Sequence, residues 1–417
     1  MDINPVKKYA VKIEDYEAIV GKSTIDELRF VADKLKNKIM QNVNSTFSGG
    51  GVAEILDHMI PLLNQLGLDA RWDVIRGNAE FFEVTKKFHN ALHGNDAAIS
   101  ITPEDYSIFN ETSRKNIDEL NLKGDIFLIH DPQPIALIAK KKEVGGSWIW
   151  RCHIDVSNPD RAVWGYLRKY ILQYNAAVFS APNFAQQLPI RQFMISPSID
   201  PVSEKNREIS QEIINSVLEK YQLNTDKPII LQVSRFDYLK DPVGVIKAFN
   251  IVKKSYDCQL VLAGGTATDD PESTEVIKTT REFADGIPDV HILEIPPKSD
   301  IEINALQRAA TIVMQKSIKE GFGLTISEAL WKSKPVVASA VGGIPLQIKN
   351  KLTGLLCHSI EGAAVAVKQL LGNPDYASWL GNNGKEHVRQ NFLITRHVKD
   401  YLLLCLAIKN AKDVIYL

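Results

Sequence analysis

The sequence has few of the features that mark secreted, membrane or metal-binding chains. Its 417 residues include only four cysteines, Cys152, Cys258, Cys357 and Cys405, with no C-x-x-C spacing. Scattered in this way, they predict buried thiols in a reducing compartment rather than disulfides. There is no apolar run of roughly 18 residues, and the first residues, MDINPVKKYAVKIEDY, lack a signal-peptide apolar region. We therefore expect a cytoplasmic protein without a membrane partner.

An excess of charge of one sign is also missing. Lys and Arg total 49 against 50 for Asp and Glu, which leaves a formal net charge of −1. With no basic stripe, no nucleic-acid partner is expected. The hydrophobic content of 45% is that of a globular protein, and 417 residues are too many for one ordinary core. The chain is therefore expected to form two domains.

Apolar runs alternate with amphipathic stretches from about residue 38 onward. This alternation predicts an α/β protein with two Rossmann-like, doubly wound parallel sheets. Strands in the first half are predicted at Ile39–Val43, Ala70–Ile75, Asp125–Ile129, Ile149–Ile154, Ala177–Ser180 and Gln192–Ile195. Strands in the second half are predicted at Ile229–Val233, Gln259–Ala263, His291–Glu294, Thr311–Met314, Pro335–Ser339 and Thr353–Leu356.

The boundary between the domains is predicted at the segment SPSIDP, residues 196–201. Its two prolines stop regular structure. The domains then comprise residues 1–197 and 198–393, followed by a helix from Ile394 that is apolar on one face. Ligands of such sheets bind at the carboxyl ends of the strands, so a cleft between two facing sheets is the expected site.

Two loops are suited to a diphosphate. Gly49, Gly50 and Gly51 follow the first predicted strand and open a helix, where bare backbone and the helix N-terminus can approach an anion. Arg235 and Lys240 lie in a second strand-to-helix loop, SRFDYLKDP, and could converge on one diphosphate. The alternatives are a flexible turn for the glycines and a solvated surface pair for the two cations.

The segment EGFGLTISEALWKSKPVVASAVGGIP carries two glutamates, Glu320 and Glu328, with seven residues between them. Glu320 precedes a glycine turn and can accept hydrogen bonds from sugar hydroxyls. Glu328 lies inside the following predicted helix, where it can bind a ribose diol. Hexose, diphosphate and ribose in this order predict a nucleotide-sugar site.

Two further motifs follow strands of the first half. His153, in WRCHID, is predicted to end its strand at the cleft, with a histidine that caps the strand as the alternative. Asp131, in HDPQP, is either a ligand for an acceptor hydroxyl or a helix N-cap before Pro132. In the second half, Asp269-Asp270-Pro271-Glu272 is interpreted as a helix start rather than a metal site.

These motifs together resemble a known family. EGFGLTISEALWKSKPVVASAVGGIP is similar to the E-x7-E segment of retaining glycosyltransferases of the family 4 type. NSTFSGGGVAEIL, HDPQP, WRCHIDVSNP and PSIDP resemble its trehalose-making branch of synthases and phosphorylases. The resemblance covers nearly the whole chain. It implies a GT-B fold, two Rossmann-like domains facing across a cleft, whose last helix, about 394–417, packs back on the first domain.

The resemblance also implies a reaction, in which NDP-glucose and glucose give α,α-trehalose and NDP with retention. No covalent carboxylate is implied. The leaving diphosphate would accept the acceptor's proton during front-face transfer. Catalysis is assigned to His153, Arg235, Lys240 and Glu320.

The remaining site residues are expected in two sets. Nucleotide-sugar binding is predicted for Gly50, Gly51, Arg235, Lys240, Gly264, Leu293, Glu320, Gly321, Phe322, Gly323, Leu324 and Glu328, and Glu294 and Asn304 lie where a base could be held. Acceptor binding is predicted for Trp72, Arg76, His89, Asn90, Asp131 and Asp155, with a core position for Trp72 as the alternative. No metal site and no obligatory cofactor are predicted, since Arg235 and Lys240 can replace a metal.

The expected partners are small molecules: NDP-glucose as a substrate, glucose and trehalose. Stimulation by Mg²⁺, a homodimer, the donor base and reversibility are left open. Phosphorolysis of trehalose and a sugar-nucleotide 2-epimerase of similar fold are the alternative reactions. The length of the chain suits a synthase better than a phosphorylase.

Overall fold

The computed structural model describes residues 11–48, 50–94, 100–265 and 271–409. Gly49 of the first glycine loop, Asp269 and Asp270 of the acidic run, and residues 410–417 of the predicted last helix lie outside the described residues. The chain divides into two compact units. Unit 1 runs to Pro197 and resumes at Ile394, and unit 2 is Ser198–Leu393.

Unit 1 is built around a parallel sheet of six strands. The strands are β1 Ile39–Asn44, β2 Asp69–Val74, β3 Ile126–His130, β4 Ser147–Arg151, β5 Ala176–Phe179 and β6 Arg191–Met194. Their order in the sheet is β2-β1-β3-β4-β5-β6. The helices that precede and connect them are α1 Glu17–Val20, α2 Lys22–Asp33, α3 Gly51–Gln65, α4 Ala79–Leu92, α5 Pro103–Glu119, α6 Lys141–Val144 and α7 Arg161–Ile171, with 3-10 turns at Ile13–Tyr16, Ile135–Lys140 and Pro182–Phe184.

Unit 2 contains a second parallel sheet of six strands. The strands are β7 Ile229–Val233, β8 Gln259–Gly264, β9 Val290–Glu294, β10 Ile312–Gln315, β11 Val336–Ser339 and β12 Leu355–Cys357, in the order β12-β11-β10-β7-β8-β9. Its helices are α8 Gln211–Lys220, α9 Pro242–Lys253, α10 Pro271–Ala284, α11 Asp300–Ala309, α12 Leu324–Trp331, α13 Ile344–Gln347, α14 Ile360–Leu371 and α15 Pro374–Asn391, with a 3-10 turn at Tyr238–Lys240. The predicted doubly wound α/β fold is confirmed in both units.

The sequences of the central strands explain this fold. Every residue of β3 and β7 is buried, and both strands are nearly continuous apolar runs instead of alternating ones. Such runs belong to parallel strands that helices cover on both faces. The four cysteines are buried and free, as predicted.

Each sheet has one point at which the strand order reverses. In unit 1 this point lies between β1 and β3, and in unit 2 it lies between β7 and β10. The loops that leave two such strands diverge to opposite faces of the sheet and open a crevice at their carboxyl ends. The glycine loop and HDPQP follow the two strands in unit 1. SRFDYLKDP and the loop of Glu320 follow them in unit 2.

The chain passes between the two units twice, after Pro197 and after Leu393, and each unit makes hydrogen bonds to the segments on its own side of these boundaries. Within unit 2, the N–H of Ile199 donates to the carbonyl of Phe392 at 2.9 Å, so the segments that enter and leave it run side by side. Within unit 1, the last helix α16, Ile394–Lys409, packs on α2 and α3. The guanidinium of Arg396 in this helix donates to the carbonyls of Ser196 and Pro197 at 2.8 and 3.0 Å.

Gly264 at the end of β8 provides a test of the packing in unit 2. A Cβ atom at this position would lie 1.7 Å from the carbonyl oxygen of Ser234, which begins the SRFDYLKDP loop. We expect Gly264→Ala to lower the free energy of unfolding by about 1–3 kcal/mol, measured by chemical denaturation. The control is Gly165→Ala in α7, where a Cβ has no neighbour within 4 Å. This change should stabilise by about 0.5–1 kcal/mol. Equal effects of the two substitutions would contradict the role of close approach.

Candidate functional site

The loops after β7 and β10 meet at the switch point of unit 2. The N–H of Ile318 donates to the carbonyl of Leu239 at 2.8 Å. Nearby, the Nζ of Lys316 lies 2.5 Å from Oδ2 of Asp241. Asp241 adopts a left-handed conformation and caps α9 through the N–H of Gly244. Backbone and side-chain contacts therefore fix the two loops to each other.

A third contact joins two residues predicted for catalysis. The Nζ of Lys240 donates to Oε2 of Glu320 at 2.7 Å, and both side chains are largely buried. The same oxygen accepts from the hydroxyl of Ser317 at 3.1 Å, and this hydroxyl accepts from Nε2 of Gln315 at 3.1 Å. The carboxylate of Glu320 is thus held by a cation and a hydroxyl, in a chain that begins in β10.

Arg235 does not join this cluster. Its guanidinium lies 3.4 Å from Oδ2 of Asp237, and its side chain is 59% exposed. Asp237 in turn caps the 3-10 turn by accepting from the N–H of Leu239 at 2.8 Å. Arg235 and Lys240 therefore share a loop, but their side chains have different partners and the arginine faces solvent. Their convergence on one diphosphate stays a prediction.

The two glycine turns of the E-x7-E segment pack directly on each other. Gly342 has a φ of +55°, and a Cβ there would lie 1.6 Å from the carbonyl oxygen of Glu320. A Cβ at Gly343 would lie 2.5 Å from the carbonyl oxygen of Gly321. The second turn therefore sets the backbone position of Glu320, which requires glycine at both positions.

The first glycine turn leads into α12 with its backbone held from behind. Gly323 is the N-cap of this helix, and Leu324 is its first residue. The carbonyl of the buried Phe322 accepts from Nε2 of Gln347 at 2.5 Å. Further along α12, Ser327 donates to Oε1 of Gln347 at 2.6 Å. These contacts order the helix N-terminus at which the predicted anion would lie.

The other residues predicted around the nucleotide have mixed environments. Glu328 is buried and accepts from Nε2 of Gln307 at 3.0 Å, and its ribose contact stays a prediction. Gly264 ends β8, and Leu293 lies in the neighbouring β9, paired with Ala263. The interpretation of Asn304 as a base contact is wrong. Its side chain is fully buried and its amide donates to two main-chain carbonyls at 2.8 Å, which makes it a structural residue.

In unit 1, three polar side chains form a line across neighbouring strands. Nδ1 of His130 lies 3.0 Å from Nε2 of His153, and Nε2 of His130 lies 3.1 Å from Oδ1 of Asn42. His130 and Asn42 are buried, and His153 is half-buried. Burial, and next the charge of Arg151, lower the pKa of His130 to about 3 and that of His153 well below its usual value. Both rings are therefore neutral.

Asp131 lies next to this line in a strained conformation. Its φ is +65°, and its Oδ1 accepts from the N–H of His153 at 2.7 Å. Burial raises the pKa of this carboxyl to about 7 against the opposing effects of that hydrogen bond and of Arg151. Arg151 is itself fully buried and donates from Nη2 to the hydroxyl of Ser180 at 3.1 Å.

Two sequence interpretations of this region are corrected. Asp131 is not a helix N-cap, because the 3-10 turn begins at Ile135 and Pro134 occupies its cap position. His153 does not end β4, which stops at Arg151. The N–H of His153 binds the carboxylate of Asp131 instead of a neighbouring strand, so the chain leaves the sheet before the histidine.

Trp72 contacts the glycine loop. Its Nε1 donates to Oδ1 of Asn44 at 2.9 Å, and Nδ2 of Asn44 donates to the carbonyl of Thr46 at 2.8 Å. The ring of Phe47 lies edge-on to the indole at 5.0 Å. The indole therefore supports the loop that carries Gly50 and Gly51, and its predicted contact with the acceptor sugar remains a prediction.

The other predicted acceptor residues lie on several elements. Arg76 follows β2 and is 85% exposed, 3.5 Å from Glu119. His89 and Asn90 are adjacent in α4, with the ring of His89 4.6 Å from that of His93. In the loop after β4, Oδ1 of Asp155 accepts from the N–H and the hydroxyl of Ser157 at 2.9 and 2.6 Å. This oxygen closes a local turn.

Sequence reasoning missed Asn42, His130, Arg151 and Ser317. His130 and Arg151 lie inside the motifs HDPQP and WRCHID, where each is the polar last residue of a strand. The functional roles were predicted instead for Asp131 and His153, which follow them. β1 carries three buried polar residues, Gln41, Asn42 and Asn44, and this unusual polarity was a signal of buried polar contacts.

Comparison with known proteins decides the family. The family described as "Trehalose synthase, N-terminal domain" matches residues 42–186, and "Glycosyl transferases group 1" matches residues 214–387. The trehalose synthase of Pyrococcus horikoshii is 43% identical over 397 residues, which cover 94% of this chain and 95% of that protein. This chain belongs to the trehalose synthase family. Its predicted resemblance to the trehalose-making glycosyltransferases is confirmed.

Two more distant proteins extend the comparison. A trehalose phosphorylase of Grifola frondosa is 30% identical over 86% of this chain, but the match spans only 55% of that longer protein. The solved structure of an α,α-trehalose-phosphate synthase (UDP-forming) from Burkholderia xenovorans, in complex with glucose-6-phosphate, superposes with a TM-score of 0.71. At 12% identity, with 88% of this chain and 100% of that chain covered, it supports the GT-B fold alone.

Two features are absent from the described residues of this trehalose synthase family member: a membrane-spanning helix and a cluster of metal ligands. No helix among the residues described is long and apolar enough to cross a membrane. Within the same ranges, no group of three or more His, Cys, Asp or Glu side chains is placed to hold a metal ion.

The raised pKa of Asp131 gives a test by pH. Its carboxyl binds a proton more tightly in the folded than in the unfolded chain, so its stabilising effect is complete below its unfolded pKa and is lost as the pH rises toward about 7. We expect Asp131→Asn to gain stability over the native protein between pH 4 and 7, by at most about 1.4 kcal/mol per pH unit. Urea unfolding across this range measures the difference.

The asparagine keeps an oxygen for the N–H of His153 and tolerates the positive φ. The control is Asp226→Asn, which makes the same carboxyl-to-amide change at an exposed position of unit 2. A difference for Asp131→Asn that is constant with pH would show that this carboxyl titrates normally.

Proposed function

We propose that this protein is a retaining glucosyltransferase that makes α,α-trehalose from an NDP-glucose and free glucose. The observation that carries the proposal is the Lys240–Glu320 pair at the switch point of unit 2, beside the ordered N-terminus of α12. A cation, a helix N-terminus and a fixed carboxylate are the groups that a diphosphate joined to a hexose requires. The membership of the trehalose synthase family supports glucose as the sugar.

The chemical role of unit 2 is electrostatic. As the bond between the glucosyl anomeric carbon and the diphosphate oxygen breaks, negative charge grows on the leaving group. Lys240 and the exposed guanidinium of Arg235 supply positive charge for it, so an obligatory metal is not needed in this proposal. The new bond to the acceptor oxygen forms on the face that the diphosphate leaves, and the acceptor's proton passes to a diphosphate oxygen.

Glu320 acts here as a ligand and not as a nucleophile. Its Oε2 is occupied by the ammonium of Lys240 and the hydroxyl of Ser317, which lowers its nucleophilicity and leaves Oε1 for a sugar hydroxyl. Without a covalent intermediate, retention rests on front-face transfer. The rate then depends on positioning and electrostatics.

Unit 1 is proposed to bind glucose through the polar groups at the carboxyl ends of its strands. Neutral His153 and the carboxyl of Asp131 offer hydrogen-bonding groups next to each other. The glycine loop, supported by Trp72, ends at the N-terminus of α3 and faces the donor diphosphate in this proposal.

A second candidate is phosphorolysis of trehalose, which the similarity to the Grifola frondosa phosphorylase favours. Phosphate would then occupy the place of the diphosphate beside Lys240. The predicted ribose contact of Glu328 would have no function in that reaction. Its substitution therefore separates the two candidates.

A product assay by NMR tests the proposed function. The protein is given glucose with ADP-glucose, UDP-glucose or GDP-glucose, and in separate tubes trehalose with an NDP or with inorganic phosphate. We expect α,α-trehalose from at least one NDP-glucose, which identifies the donor base and, with the reverse reaction, the reversibility. Turnover only with phosphate would establish the phosphorylase instead.

Substitution of the charged residues tests the site. We expect Arg235→Ala, Lys240→Ala and Glu320→Ala each to lower kcat by about 10²–10³-fold, since each removes a preorganised electrostatic contact. Initial rates of NDP release measure the effect, and circular dichroism checks the fold. Arg389→Ala is the control, because its ion pair with Glu386 lies on the surface of α15. Native rates in all three site variants would refute the assignment.

A further inference from the structure

The line of Asn42, His130 and His153 fixes more than the position of a ring. We propose that Asn42 and His130 are positioning residues that hold His153 as one neutral tautomer, with its proton on Nε2 and a lone pair on Nδ1. His153 then accepts a hydrogen bond from a sugar hydroxyl and cannot donate one. The inference rests on the proposed function for the identity of the ligand, but the tautomer itself follows from contacts within unit 1.

The direction of the line is set at Asn42. Its Nδ2 faces the carbonyl oxygen of Arg71 at 3.4 Å. A carbonyl oxygen only accepts, so the amide nitrogen must be on that side and Oδ1 must face His130. The alternative orientation would place two acceptors against each other in a fully buried position.

Each following proton position is then determined. Because Oδ1 of Asn42 accepts, Nε2 of His130 must carry a proton. A neutral imidazole carries only one, so Nδ1 of His130 has the lone pair. That lone pair requires a donor at 3.0 Å, which is the Nε2–H of His153. Since His153 is neutral as well, its Nδ1 has no proton.

Neutrality of both rings is enforced by their surroundings. Arg151 is fully buried, and its Nε and Nη1 have no hydrogen-bond partner among the described residues. Its charge acts on both rings, and His397 acts in the same direction on His153, so a second proton on either ring is opposed by burial and by like charge. The carboxyl of Asp131 accepts from the main chain of His153, and its own pKa is raised to about 7.

The consequence is a selective contact with the substrate. A lone pair on Nδ1 of His153 binds a hydroxyl that donates, and it repels a group that only accepts. Fluorine accepts weakly and never donates. Replacement of the contacted hydroxyl by hydrogen or by fluorine should therefore be equally harmful, whereas a donating histidine would tolerate fluorine.

The tautomer can be observed directly in the full chain without substrate. The protein is labelled with ¹⁵N at histidine, and ¹⁵N–¹H correlation at neutral pH reports which ring nitrogen of each of the nine histidines carries a proton. Spectra of His153→Gln and His130→Gln assign the two rings. We expect Nδ1 to be unprotonated and Nε2 protonated in both rings. A protonated Nδ1 of His153, or two protonated nitrogens, would overturn the proposal.

Asn42→Asp tests the positioning role. A carboxylate beside Nε2 favours a doubly protonated His130, whose Nδ1–H then donates to His153. His153 must then accept at Nε2 and carry its proton on Nδ1, so its two ¹⁵N signals should exchange character. A purely structural role of Asn42 would change thermal stability and leave the tautomer as it is, which would refute the relay.

Substrate analogues complete the test. Each singly deoxygenated glucose and its deoxyfluoro counterpart are assayed as acceptor, and the same changes are made in the donor glucosyl group. At one hydroxyl we expect both replacements to lower kcat/KM by about tenfold, the effect of one lost hydrogen bond. This loss should disappear in His153→Ala. Rescue by fluorine at that hydroxyl would contradict an accepting Nδ1. If no trehalose is made at all, the proposed function fails while the NMR result still decides the tautomer.

Discussion

The ion pair between Lys240 and Glu320 is the contact on which the carboxyl edge of the second sheet depends. It joins loops from β7 and β10, which are separated in sequence but adjacent at the switch point. Both charges are largely buried, so removal of either would leave the other poorly solvated. In the proposed function, the pair holds the ammonium in place for a diphosphate, which shares it with the carboxylate. Preorganisation of this kind avoids reorientation of the site during the reaction.

The first sheet achieves order by the opposite means. Its central polar groups are uncharged histidines and a buried amide, arranged around an arginine that lacks a carboxylate partner within salt-bridge distance among the described residues. Burial, and next the positive charge of Arg151, lower the pKa of His130 and His153, and the neutral rings in turn can hold defined hydrogen-bond directions. In the proposed function, unit 2 therefore binds a diphosphate by charge, and unit 1 binds a sugar by directed hydrogen bonds.

The apolar runs in the sequence predicted the fold closely, because strands of a parallel sheet that are buried on both faces are continuous apolar runs, whichever strands they pair with. β7 was predicted at its observed bounds. β4 was predicted to continue to Ile154 but ends at Arg151, since a strand pattern cannot reveal that the N–H of His153 turns to the carboxyl of Asp131. The motifs that follow these strands likewise located the loops of the candidate site. Which side chains pair across those loops, as Lys240 does with Glu320, depends on tertiary contacts that spacing does not encode.

Unit 2 is an insertion within unit 1, because unit 1 ends at Pro197 and resumes at Ile394. Close to the two ends of unit 2, Ile199 and Phe392 are hydrogen-bonded to each other, so an excised Ser198–Leu393 could be closed by a short linker. Arg396 holds the other side of the crossing to Ser196 within unit 1. Exchange of the whole of unit 2 would therefore need new peptide bonds at only two places, Pro197–Ser198 and Leu393–Ile394, and in the proposed function it would change the groups that bind the donor.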